Sequence, residues 1–254
     1  VNGLLHGDLG TSYQRKGQAV TDILAAKYPY TIKLAVVAII LETVVGIGAG
    51  MVSAIKRYSF WDVLVTLVTS VLVAMPAFWL GMLLQLFFGV VLKDVTGGSF
   101  YLPISADFSP YSEFQSWVYY ILPAITLAAV STAYSARIMR SQLLEVMNQD
   151  YIRTAKAKGL SQSGIIFKHA MRNAIMPVVT VLGPITAGIL TGGFVVESVF
   201  GIPGLGRYFV QSIQGCDYTM ICGTTVFYGA FLIIANLVVD IAYGLIDPRV
   251  KLEG

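Results

Sequence analysis

Leu34–Ile55 reads LAVVAIILETVVGIGAGMVSAI and is followed at once by Lys56-Arg57. A single charge, Glu42, interrupts a run long enough to cross ~30 Å of hydrocarbon as a helix rising ~1.5 Å per residue. Working outward, similar runs recur at about Val63–Leu92 with Pro76 inside, Val118–Ala136, Ile175–Val196 and Ile221–Ile246. Lipid offers the backbone no hydrogen bonds, so a span must satisfy its own N–H and C=O groups. Helices do that, and these strong apolar runs do not read as barrel strands. The expected fold class is an all-α integral membrane protein with five visible transmembrane helices.

Composition agrees. Of 254 residues, 56% are hydrophobic and 12% charged, against roughly 25% charged in soluble domains. The net charge of +3 is best read from where the charges lie. Lys56 and Arg57 follow the first run. Arg137, Arg140, Arg153, Lys156, Lys158, Lys168 and Arg172 lie between the third and fourth, and Arg249 and Lys251 end the chain. These segments fall on one side and hold most of the 17 basic residues, which makes that side cytoplasmic. Residues 1–33 then form an extracytoplasmic segment, although Arg15-Lys16 there runs against the bias. Residues 34–254 form the transmembrane domain, with a cytoplasmic loop at 137–172. A start outside fits one further span ahead of Val1, so six spans are expected in the intact protein.

Few residues suggest chemistry. Gly46-Ile-Gly-Ala-Gly50 lacks the lysine of a phosphate loop and lies in a span; Gly46/Gly50 and Gly188/Gly192 read as close-packing GxxxG pairs. No GxxxxGK[ST] stretch occurs, so ATP hydrolysis by this chain is not expected. The two histidines lie far apart and the two cysteines, Cys216 and Cys222, read as packing residues, so no cofactor or metal site is expected. Glu42 and Asp240 are intramembrane carboxylates, read as structural, with Lys33, a Thr hydroxyl or another subunit as a partner. Thr66, Thr69 and Ser70 share one helix face, and Ser131, Tyr134 and Ser135 another. Such stripes line a polar pathway or hydrogen-bond a neighbouring helix, and the sequence leaves both open.

The basic loop carries the most information. Ser141–Met147 is amphipathic. Asp150-Tyr-Ile-Arg-Thr-Ala-Lys-Ala-Lys158 is rich in helix formers, has Asp150 as an N-terminal cap and stops at Gly159, which tolerates φ > 0. Ser161 can cap a following helix that runs through Phe167 and Met171 to Pro177. Charge alone would set topology or attract anionic lipid. A capped short helix favours docking of a cytoplasmic partner.

Asp150-Tyr-Ile-Arg-Thr-Ala-Lys-Ala-Lys-Gly159, followed by Phe167-Lys-His-Ala-Met-Arg-Asn-Ala-Ile-Met-Pro177, resembles the cytoplasmic EAA motif of ATP-binding-cassette importer permeases. Arg153-Thr154 replace Glu-Ala, and the gap from Gly159 to Ile175 is long; both departures are typical of the dipeptide, oligopeptide and nickel branch. Gly7–Ser12, Glu197-Ser-Val-Phe-Gly-Ile-Pro-Gly-Leu-Gly-Arg207, Asp217-Tyr218 and Asn236–Arg249 extend the likeness over essentially the whole chain, which is most similar to the B-type permease of peptide importers.

The resemblance implies a type I importer permease fold in a bacterial inner membrane. It implies a second homologous permease forming a heterodimer, two cytoplasmic ATP-binding-cassette ATPases and an extracytoplasmic substrate-binding protein, with no nucleic acid. Asp150, Tyr151, Arg153, Thr154, Ala155, Lys156, Ala157 and Lys158 would form the coupling helix on the ATPase, stopped by Gly159. Glu197 and Arg207 would bound an outer loop that meets the binding protein or gates the cavity. Thr66, Ser70, Ser131 and Ser135 are the pathway candidates. The implied cargo is di- or oligopeptides, with nickel as the alternative; the lack of a His/Cys cluster disfavours nickel. Asp240 and Asp247-Pro248-Arg249 match the family's last span, with Pro248 ending it. A proton-coupled transporter would need a carboxylate relay and an intramembrane enzyme a catalytic cluster, and neither pattern is evident.

Overall fold

The computed structural model describes residues 7–105, 117–191 and 193–246. Pro110, Gly192 and Asp247-Pro248-Arg249 lie outside these, as does the side chain of Asp240. Among the described residues the ordered elements are helices, with one isolated bridge between Thr11 and Ala19.

Helix α1 spans Val20–Ile55, 36 residues, or roughly 54 Å at 1.5 Å per residue. It is longer than the apolar run because Asp22, Lys27 and Lys33 hide its first turns from a hydropathy reading. Tertiary packing holds those turns: Val20, Ile23 and Leu24 are buried with Leu205, Met220 and Tyr228.

The expected second span is broken. Helix α2 (Phe60–Ala74) ends at Met75, whose φ of −89° and ψ of 129° are extended, and α3 resumes over Ala77–Val95. The cause is Pro76, which pushes the preceding residue out of the helical region. Helix α4 occupies Trp117–Val146. Ser141–Val146 is therefore the end of this helix rather than a separate loop element, anchored by buried Met139 and Leu143.

Next come α5 (Asp150–Ala157) and α6 (Gln162–Ala174), and α6 meets α7 (Met176–Leu190) at a bend of 50°. Pro177, with no N–H to donate, follows that bend. Helices α8 (Phe194–Phe200), α9 (Leu205–Gln214) and α10 (Tyr218–Ile246) complete the chain. Among the described residues four helices (α1, α3, α4 and α10) are long and apolar enough to cross a membrane, and the α6–α7 pair makes a fifth. Large apolar side chains such as Ile233 (71% exposed) project from them, as lipid-facing residues do.

The chain divides into two compact units. The first comprises Val1–Ile39, Pro76–Leu127 and Ala187–Val238; the second comprises Ile40–Met75, Ala128–Thr186 and Val239–Gly254. In the second, the Gly46/Gly50 pair packs on α4 as expected. A Cβ on Gly50 would lie 2.4 Å from the Ala136 carbonyl oxygen, and one on Gly46 2.9 Å from Ser135 Cβ. Gly188 faces open space, so the packing reading does not extend to it.

Candidate coupling and gate sites

In the second unit, α5 has two faces. Ile152 and Ala155, three residues apart, are buried with Met139, Leu143, Val146 and Ile165, while the other residues of the helix are exposed. Tyr151 is also held: its hydroxyl accepts from Asn173 Nδ2 at 2.8 Å. The expected cap differs. Gln149 is the N-cap, and Asp150 is the first helical residue. Asp150 instead pairs with Arg153 at 3.6 Å, with both side chains largely exposed.

The stop is as the sequence suggests. Gly159 has φ of +75°, its N–H donates to Lys156 O, and Leu160 N–H reaches back to Ala155 O. This pattern satisfies carbonyls that the helix end would leave open. Ser161 then caps α6 by accepting from Gly164 N–H. Thus α5 is a short helix packed along one side and exposed along the other.

Just before it in the same unit lies an ion pair that sequence reasoning missed. Arg140 grips Asp62 through Nε–Oδ1 at 2.8 Å and Nη2–Oδ2 at 2.9 Å. Ser53 Oγ donates to the same carboxylate, and Tyr58 N–H donates to Oδ2 at 2.9 Å. From the sequence Arg140 reads only as topogenic charge, and Asp62 lies 78 residues from it. The only available signal was an acid in the first turn of an apolar helix.

The pathway candidates separate. Thr69 and Ser70 hydroxyls donate to Thr66 O, and Ser70 accepts from Arg137. Ser135 is buried and donates to Glu42 Oε1 at 3.3 Å, and Ser131 also hydrogen-bonds this carboxylate, so hydroxyls of α4 rather than Lys33 serve Glu42. Ser131 is half-buried and Tyr134 exposed, so this stripe faces two environments.

In the first unit, Glu197 is fully buried and ties a loop shut. Thr31 Oγ1 donates to its Oε1 at 2.8 Å and accepts Leu205 N–H at 2.9 Å; Arg207 N–H donates to Oε2 at 3.2 Å. Arg207 Nη1 donates to Gly201 O at 2.7 Å, closing the turn from α8 to α9. A Cβ on Gly204 would lie 2.5 Å from Glu197 Oε2 and 2.6 Å from Thr31 Oγ1. That explains the glycine: the carboxylate occupies the space a side chain would need. Burial pushes Glu197 above the usual carboxylate range, against the pull of Thr31 and the backbone donors.

A second clamp joins the N-terminal segment to the start of α10. Asp217 accepts from Ser12 Oγ and from the N–H groups of Tyr13, Gln14 and Met220. Burial opposes its charge, but these donors win and hold the carboxyl below its ordinary range. Nearby, Arg15 and Lys27 lie 4.5 and 5.0 Å from the centre of the Tyr208 ring. Cys216 and Cys222 are free and exposed, not packed as expected.

With this geometry in hand, residues 46–252 match the family described as binding-protein-dependent transport system inner membrane component. The chain belongs to that family. The dipeptide transport system permease protein DppB of Bacillus subtilis (strain 168) is 44% identical over 253 residues, covering 100% of this chain and 78% of the relative. The oligopeptide transport system permease protein OppB of Haemophilus influenzae is 39% identical, covering 99% and 78%. Among solved structures, the MetNI methionine ABC transporter in inward-facing conformations aligns with TM-score 0.68 and 16% identity, over 89% of this chain and 97% of that one. An amino acid ABC transporter solved with histidines aligns with TM-score 0.59 and 18% identity, over 91% and 95%. The fold is that of an importer permease, and the chain is a multi-pass membrane component of a binding-protein-dependent transport system.

Proposed function

We propose that this chain is one permease of an ATP-driven importer for di- and oligopeptides, paired with a second, homologous permease. Two ATPases on the cytoplasmic side supply the work, and an extracytoplasmic binding protein supplies the cargo. The observation that carries the reading is α5: one face locked into the core of its unit, the other exposed, with a firm stop at Gly159. A helix held in this way transmits a push from a docked ATPase to α4 and α6, whose side chains share its core. Full-length relatives named for dipeptide and oligopeptide transport support the cargo.

The loop from Glu197 to Arg207, made rigid by the Thr31 knot, serves as the gate or receptor-facing element. The test is co-purification and uptake. The wild-type chain, expressed with its partners, retains both ATPases and imports labelled di- to pentapeptides, while Arg153→Glu with Lys156→Glu releases the ATPases. ATPase retention by that variant overturns the coupling assignment, and nickel uptake in place of peptide uptake overturns the cargo.

A further inference from the structure

We propose that the turn joining α1 to α2 is a binding site for the phosphate headgroup of an anionic lipid. This turn ends one long apolar helix at Ile55 and starts another apolar helix at Phe60, so it lies where hydrocarbon gives way to headgroups. Within six residues, Lys56-Arg57-Tyr58-Ser59-Phe60-Trp61, it places two cations and three aromatic rings. Tyr58, Phe60 and Trp61 are 78%, 71% and 49% exposed. Rings of this kind favour the interface, and basic residues there attract anionic headgroups.

The cations are oriented rather than splayed. Lys56 Nζ lies 5.4 Å from the Trp61 ring centre, and Arg57 Cζ 4.5 Å from that of Tyr58. Among the described residues neither pairs with a carboxylate. The one acid beside them, Asp62, is already committed to Arg140, Ser53 and the Tyr58 N–H. That last bond also holds Tyr58 at φ of +63°, a conformation that non-glycine residues rarely adopt. The Asp62 node therefore removes the competing charge and fixes the turn with both cations free to bond a phosphate. Unlike the coupling assignment, this inference depends only on the turn lying at a membrane surface.

Native mass spectrometry of the assembled importer, delipidated and titrated with phosphatidylglycerol or phosphatidylcholine, tests it. The wild type binds phosphatidylglycerol in preference to phosphatidylcholine. Lys56→Gln with Arg57→Gln weakens the tightest phosphatidylglycerol site by roughly thirtyfold, about fivefold for each of two interfacial cations. The charge-conserving pair Lys56→Arg with Arg57→Lys keeps it, which separates lost charge from lost folding. Unchanged phosphatidylglycerol affinity in the neutral double variant overturns the proposal. So does displacement by inorganic phosphate alone, which would make the site one for free anions. Loss of the ATPases from the double variant with lipid binding intact would also overturn it, marking the turn as a protein contact.

Discussion

Two ion pairs in the same compact unit teach different lessons. At the root of α2, Asp62 and Arg140 meet through two bonds of 2.8 and 2.9 Å, with side chains 6% and 32% exposed. On α5, Asp150 and Arg153 stand 3.6 Å apart, with side chains 96% and 74% exposed. In the first pair Asp62 has given up water and is surrounded by further donors, so it depends on Arg140 for its counter-charge. The second keeps its water and contributes little to stability. The charged face of α5 does no comparable structural work and stays open to solvent.

The largest effect should follow from Arg140→Ala. Asp62 would remain buried beside Ser53 and the Tyr58 N–H without a counter-charge, a defect that typically costs about 3–5 kcal/mol. Arg140 is partly open to water, so the low end of that range is expected. Thermal unfolding of the purified chain in detergent measures it. An unchanged midpoint would show that the bidentate pair is ornamental and erase the contrast with Asp150–Arg153.

A third buried carboxylate sharpens the comparison. Among the described residues no cationic side chain bonds Glu197; Thr31 Oγ1 and backbone N–H groups serve it instead. Such a site fails through crowding, because its donors are fixed by the turn. Gly204→Ala puts a methyl group 2.5 Å from Glu197 Oε2. The expected loss is about 1–3 kcal/mol, the usual range for overpacking. Thermal unfolding reads it. The Thr31→Val variant in the same assay should also fall, since it removes one donor and one acceptor together.

How much of this was legible beforehand depends on the range of the interaction. The spans were visible because hydropathy is a local property, and α5 with its stop at Gly159 was visible because caps act within a turn. The break at Met75 needed only Pro76, yet the apolar run on both sides hid it. The first turns of α1 and the end of α4 escaped because long-range packing, against Leu205 and Tyr228 in one case and Ile152 and Ile165 in the other, overrides local polarity. Asp62–Arg140 and Thr31–Glu197, 78 and 166 residues apart, could not be paired from one sequence. The hydroxyl stripes show another limit: helical spacing puts residues on one face but does not say what the face meets, so Ser135 lies buried against Glu42 while Tyr134 is exposed.

Gly159→Val tests the lever itself. Valine at φ of +75° is strained, at a cost of about 1–2 kcal/mol, so the chain should still insert and fold. A Cβ at this position meets nothing within 4 Å, so the strain falls on the backbone of the helix stop. Peptide uptake in proteoliposomes should fall while ATP hydrolysis continues, which is uncoupling rather than unfolding. Wild-type uptake would remove α5 from the transmission path.

The smallest structural effect belongs to the exposed pair, and there the comparison is most exposed to failure. Arg153→Ala removes a cation bonded only across 3.6 Å of wet surface. The unfolding midpoint should stay within about 0.5 kcal/mol of wild type, as for surface substitutions away from structural features. If the free face of α5 is a docking face, the same variant should still weaken retention of the ATPases during purification, because their contact would desolvate what solvent now screens. Stability and assembly would then respond in opposite order to Arg140→Ala and Arg153→Ala: the first destabilises the chain, and the second leaves it intact but less able to hold its partner. A variant that is both stable and fully assembled would mean that Arg153 faces water in the complex as well, and the docking surface would have to be sought at Tyr151 and Lys156.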